Sequence, residues 1–246
     1  MTVVAGLWGD VEARRDHHLL RLRGGLSLAT VPRARALLGK LLRDPGAVVV
    51  DLAGLELDWD PAAEVFPAAL AAAGGWPAAQ LVLTGAGDRF ATRIRALRID
   101  RTVPLVDDPD RASDRLHHRP DRVMRHRDLP ATPVAPAMAR ALVHEACVDW
   151  SATEAEDAAV LVASELVTNV VQHAPKGCRV SVAVDGTSLR VSVRDYAPGP
   201  ELRPRPVDTA RAGGRGLHLV AMVSSAWGVQ QHPDGKTTWA QIPLTA

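Results

Sequence analysis

The chain has 246 residues, 47% of them hydrophobic, enough for one large core or two modest ones, and a break near its middle favours two. Twenty-nine basic against 28 acidic residues leave a formal net charge of +1, so the balance gives no argument for nucleic acid or an anionic membrane as partner and suits a protein or small ligand. Cys147 and Cys178 have neither CxxC spacing nor ligand-spaced histidines nearby, which disfavours zinc and disulfide scaffolds.

The first ten residues lack a basic stretch followed by a long apolar one, and no apolar run approaches the ~20 residues that span a bilayer, so a cytoplasmic location is expected. His18-Leu-Leu-Arg-Leu-Arg23 alternates like a strand and stops at Gly24-Gly25. Thr30, with Pro32 close behind, predicts the cap of a helix to about Arg43. Val48-Val-Val-Asp-Leu52 is a short apolar run between turn residues, as in a buried parallel strand. A helix over about 62–73 and a strand over Leu81-Val-Leu-Thr84 follow. Strand alternating with helix implies a parallel or mixed sheet covered on at least one face.

Residues 108–130 are dense in Arg, His, Asp and Pro and are expected to form a solvated linker, with Arg122 to Leu129 able to start the next domain. Pro136 opens a predicted helix to about Trp150, and Thr153-Glu-Ala-Glu156 has capping-box spacing at the head of a helix running to His173. Alternating Arg179–Val184 and Leu189–Asp195, joined across Asp185-Gly186, predict a hairpin. Two more strands, near 227–231 and 237–242, bracket the turn Pro233-Asp-Gly235. The expected division is residues 1–112, a linker at 113–121, and 122–246.

Chemistry concentrates in the second half. Glu165-Leu-Val-Thr-Asn169-Val-Val-Gln-His173 sets a carboxylate, an amide and an imidazole four residues apart on one face of an otherwise apolar helix. Such groups either hydrogen-bond inside a core or line a cleft. Asp195 ends a predicted strand, with Gly199 four residues on, and is equally compatible with a turn. Gly213-Gly-Arg-Gly216-Leu217 precedes a helix, where backbone N–H groups and the helix dipole favour an anion, although a plain loop has the same composition. The intervening stretch, with Arg203, Arg205 and Arg211, is too polar for a core and suits a lid; any of these or Arg215 can reach a phosphate.

These three motifs, in this order, resemble the N, G1 and G2 boxes of the GHKL ATPase superfamily, and within it the anti-sigma factor serine kinases of bacteria, over about residues 122–244. The resemblance implies ATP and Mg²⁺ as cofactors, Asn169 on the metal, Glu165 polarising the attacking hydroxyl, and Asp195 on the adenine amine. It further implies cofactor contacts from His173, Gly199, Gly213, Gly214, Arg215, Gly216 and Leu217. His173 is as well explained as a packed helix-end residue. Position 197 is Ala where the G1 box carries Gly, which changes the expected lid geometry.

In the first half, Gly24-Gly-Leu-Ser-Leu-Ala-Thr-Val-Pro32, Val49-Val-Asp-Leu-Ala-Gly54 and Leu81-Val-Leu-Thr-Gly85 resemble the STAS domain of anti-sigma factor antagonists over about residues 15–107. That family carries a phosphoacceptor serine after its central strand. Here the loop reads Leu57-Asp-Trp-Asp60-Pro-Ala-Ala63 and offers no hydroxyl. The expected α/β architecture is thus an N-terminal STAS-like sheet with covering helices plus a C-terminal GHKL-type α/β sandwich. The resemblance implies a Mg-ATP-dependent serine/threonine protein kinase acting in partner switching, with a sigma factor or an anti-sigma antagonist as protein partner, no direct nucleic acid and no membrane; a homodimer stays open. The alternative is a non-catalytic, nucleotide-gated interaction protein, and a plain ATP hydrolase is a third reading. A two-component histidine kinase fits poorly, since His117 and His118 sit among Arg, Asp and Pro instead of on a long dimerising helix.

Overall fold

The computed structural model describes residues 6–44, 46–173, 176–196 and 214–244, which form two compact units dividing between Val123 and Met124. In the first unit the sheet runs in the order β1 (Leu7–Ala13), β2 (His18–Leu26), β3 (Ala47–Leu57), β4 (Gln80–Thr84), β5 (Leu105–Val106). β1 is antiparallel to β2, and β2 through β5 are parallel. The mixed sheet expected from strand–helix alternation is therefore present. Leu20, Leu22, Val48, Val50, Leu81 and Leu83 share one face with Leu38 of α1 (Val31–Leu41), Phe66 of α2 (Val65–Ala72) and Ile94 of α3 (Asp88–Ala96) in one core. Burial of each such side chain contributes roughly 1.5–3 kcal/mol.

Two local details differ from expectation, and a third concerns the loop after β3. Thr30 stands at the N-cap of α1, but its hydroxyl donates to the Gly25 carbonyl at 2.8 Å and accepts from the Ser27 N–H at 2.9 Å, so it ties the preceding loop together instead of capping the helix. The stretch expected as a solvated linker contains α4 (Pro109–Leu116). Its two buried apolar side chains, Ala112 and Leu116, lie one turn apart and pack on Ala47, Val49 and Val82, the sheet face opposite α1–α3. Asp60 opens a 3₁₀ turn, Asp60–Glu64, and its carboxylate lies 3.2 Å from Arg93 Nε, an exposed pair that adds little stability.

The second unit carries a sheet in the order β6 (Arg122–Leu129), β7 (Cys178–Asp185), β8 (Ser188–Asp195), β10 (Gly235–Pro243), β9 (Ala226–His232). Gly186, at φ 62°, supplies the left-handed turn of the β7–β8 hairpin, in which Asp185 pairs with Ser188. Helices α5 (Ala135–Asp149), α6 (Glu156–His173) and α7 (Gly214–Val223) complete the α/β sandwich. The capping box expected at Thr153–Glu156 does not form: Thr153–Ala155 is a 3₁₀ turn, and the Glu156 carboxylate is taken by His144 Nδ1 at 2.6 Å.

That pair clasps α5 to α6 and raises the His144 pKa, first through the hydrogen bond and then through the Glu156 charge. A raised folded value means the contribution is complete below the ordinary histidine pKa of about 6.5 and is lost as pH rises through the folded value. Titration of His144 by NMR is expected to show this elevation, and Glu156→Gln is expected to remove it. Among the described residues no helix is long and apolar enough to cross a membrane.

Candidate functional site

Helix α6 is set by its apolar stripe. Val162, Ala163, Leu166 and Val167 are buried, and α6 packs against β8, β10, α5 and α7. Glu165 and Asn169 are half-buried and one turn apart, so they share the flank of the helix. Opposite Glu165 stands the first turn of α7. A Cβ built on Gly216 would overlap Glu165 Oε2 and lie 3.4 Å from its Cδ, so the Glu165 carboxylate occupies the space that a side chain at residue 216 would take. The arrangement sets a carboxylate beside a helix N-terminus, an electrostatically favourable pairing of roughly 0.3–1 kcal/mol.

Asp195 occupies a core position. In β8 the buried residues alternate as Leu189, Val191, Val193, and Asp195 is next in the same period, 4% exposed. A carboxylate there needs partners. Lys236 Nζ lies 3.6 Å from Asp195 Oδ2, and the two residues pair across β8 and β10. Gly235, at φ 148°, lets β10 start against the end of β8, because a Cβ there would overlap the Asp195 carbonyl oxygen. Cys178, directly across β7 from Asp195, has its thiol pKa pushed up to about 11, mainly by burial and then by the Asp195 charge. Cys147 is likewise a free, buried thiol, raised to about 11 by burial, as a core cysteine should be.

The structure therefore brings Glu165 against Gly216 and puts Asn169 on the same flank of α6. Asp195 closes the inner end of a strand on which α6 packs. Gly214 and Arg215 open α7 and half-buried Leu217 follows Gly216, while His173 is the last residue of α6. Gly199, Gly213, Arg203, Arg205 and Arg211 lie outside the described residues. Gly235 was legible as the end of the turn Pro233-Asp-Gly235, but Lys236, which follows it and is one of three lysines with Lys40 and Lys176, was not singled out from sequence.

Among the described residues no group of three His, Cys, Asp or Glu side chains could hold a metal ion. A cation at Asn169 would take one amide oxygen from the protein and the rest of its shell from phosphate and water. That donor set suits Mg²⁺, which prefers hard oxygens and keeps several waters. The bare backbone at Gly216, at the head of α7, is the kind of surface a phosphate approaches.

Comparison with known proteins bears on the same residues. Positions 129–242 match the family described as the histidine kinase-like ATPase domain. Comparison with curated proteins finds no match. Among solved structures, an anti-sigma factor antagonist from Mycobacterium paratuberculosis is similar at 21% identity and a TM-score of 0.41, over 46% of this chain and 96% of that one. The RsbU and RsbW domains of a Mycobacterium tuberculosis protein are similar at 24% identity and a TM-score of 0.40, over 50% of this chain and 33% of that one. SpoIIAA in its unphosphorylated form is similar at 15% identity and a TM-score of 0.35, over 44% and 95%. The chain thus joins a first α/β unit to a second unit that matches the histidine kinase-like ATPase domain family over residues 129–242.

Proposed function

We propose that the second unit binds Mg-ATP between α6, the end of β8 and the head of α7, and that it transfers a phosphoryl group to a serine or threonine of a protein partner in partner switching. The observation that carries this reading is the apposition of Glu165 on α6 with the bare backbone of Gly216 on α7, together with Asp195 buried at the end of β8, a strand on which α6 packs. The family match over 129–242 supports the nucleotide.

Each residue has a role that its position allows. Asp195 accepts a hydrogen bond from the exocyclic amine of adenine, which a buried carboxylate at a strand end is suited to do. Asn169 presents its side-chain oxygen to the cation. The N–H groups opening α7 donate to phosphate oxygens. Glu165 accepts the proton of the attacking hydroxyl. Mg²⁺, when bound, neutralises charge on the phosphates. The protein partner is a sigma factor or an anti-sigma antagonist.

The test is calorimetry with and without Mg²⁺, followed by detection of phosphoprotein against free phosphate as product. Asn169→Ala is expected to weaken Mg-ATP binding about ten-fold or more and to remove the difference that Mg²⁺ makes. A variant that keeps the full Mg²⁺ dependence takes Asn169 out of the metal site. Mg-ATP binding without phosphoprotein or free phosphate, with any candidate partner, favours the nucleotide-gated interaction protein; free phosphate alone indicates a hydrolase.

A further inference from the structure

The first unit holds a cavity that the nucleotide site does not use. On the sheet face covered by α4, the lower half is apolar and closed by Ala112 and Leu116. One residue pair further along the strands the face turns polar. Arg21 of β2 pairs in register with Asp51 of β3, and Asp51 with Thr84 of β4, so three polar side chains form one row across three adjacent strands. The period-2 alternation would place core residues there. Above the row lies a cavity of about 350 Å³, walled also by Arg14, His17 and Ser113.

Thr84 makes the row hard to explain as packing alone. It is 1% exposed, it lines the cavity, and its hydroxyl oxygen has no hydrogen-bond partner. A buried hydroxyl left so is destabilising, and a valine would fill the same place without that penalty. Charges of both signs also meet at the cavity. Arg21 and Arg14 each contact Glu12 at 2.8 Å, Arg21 lies 3.5 Å from Asp10, and Asp51 stands beside Arg21 in the row. Glu12 is held below the usual carboxylate range, chiefly by its hydrogen bond from Arg21, so it stays charged at neutral pH.

We propose that this cavity binds a small zwitterion of amino-acid size, its carboxylate on Arg14 and Arg21, its ammonium on Asp51, and a hydrogen bond from or to the Thr84 hydroxyl. A set of guanidinium and carboxylate groups of both signs disfavours a ligand of large net charge, and a volume near the lower end of ordinary ligand pockets sets the size. The site is formed wholly within the first unit and does not depend on the nucleotide reading.

The experiment uses the full chain and the twenty standard L-amino acids one at a time at millimolar concentration, with acetate and methylammonium as single-charge controls. Thermal unfolding and calorimetry are the readouts. At least one amino acid is expected to raise Tm through selective binding to the folded state, while neither control does. Thr84→Val and Asp51→Asn are each expected to weaken that binding about ten-fold or more. Thr84→Val should leave the ligand-free Tm unchanged or raised, which shows that the fold persists. Absence of any shift with all twenty, an equal shift in both variants, or a shift reproduced by acetate or methylammonium alone overturns the proposal.

Discussion

Glu165→Gln is expected to leave Mg-ATP affinity close to that of the unaltered protein and to lower phosphoryl transfer by roughly 10²–10⁴-fold, the range over which a positioned base contributes. The substitution keeps the shape of the side chain and removes its ability to take a proton. It also removes a negative charge from the head of α7, beside Gly216, at a cost of roughly 0.3–1 kcal/mol. The kinetic loss therefore greatly exceeds the stability loss, and the two are separable by measuring Tm alongside single-turnover transfer. Binding and transfer falling together would instead identify Glu165 as a group that holds α7 in place.

Gly216→Ala has the second large effect. Alanine in a helix is ordinarily favoured over glycine by about 1 kcal/mol. Here the added methyl overlaps Glu165 Oε2, so α7 must shift away from α6 or Glu165 must leave its place. A displacement of about 1 Å at such a point can lower turnover by about 10²-fold, and ATP affinity is expected to fall with it. Glu165→Ala in the same chain relieves the overlap, so the two substitutions should be non-additive in stability by about 0.5–3 kcal/mol. Equal Kd values for Gly216→Ala and the unaltered chain would show that the head of α7 does not contact the nucleotide.

Legibility in the sequence followed burial. Val48–Leu52 and Leu81–Thr84 stood out because strands buried on both faces are continuous apolar runs, and both are central in the sheet. β1 left no such trace: it is an edge strand in which only Leu7 is buried, with Trp8 and Val11 exposed. α4 was hidden by its charges, since among its described residues Ala112 and Leu116 are the ones buried on the sheet. α3 does carry a helical signal in Phe90, Ala91 and Ile94, spaced to share a face.

In the site, Glu165 and Asn169 were legible as a polar pair on an apolar helix, and Asp195 as a strand-end carboxylate. Their burial and neighbours were not. The contact between Glu165 and Gly216 joins residues far apart in the chain, and nothing local to either one encodes it. Lys236 escaped for the same reason, because its nearness to Asp195 comes from the β8–β10 register. Thr30 and Glu156 show the opposite failure: both carried a sound local capping signal, and each was taken by another partner, Thr30 by the Gly25 carbonyl and Glu156 by His144.

The central claim is that the second unit holds ATP with its adenine on Asp195, and calorimetric titration of ATP and GTP into the unaltered chain and into Asp195→Asn tests it most directly. In the proposed site the buried carboxylate would accept from the adenine amine, a hydrogen bond to a charged group worth about 1.5–3 kcal/mol, so Asp195→Asn should weaken ATP by about 10- to 150-fold. GTP, which presents a carbonyl oxygen at the corresponding place, should bind the unaltered chain at least about ten-fold more weakly than ATP. An absence of ATP binding to the unaltered chain, or equal ATP affinity in the two proteins, contradicts the account.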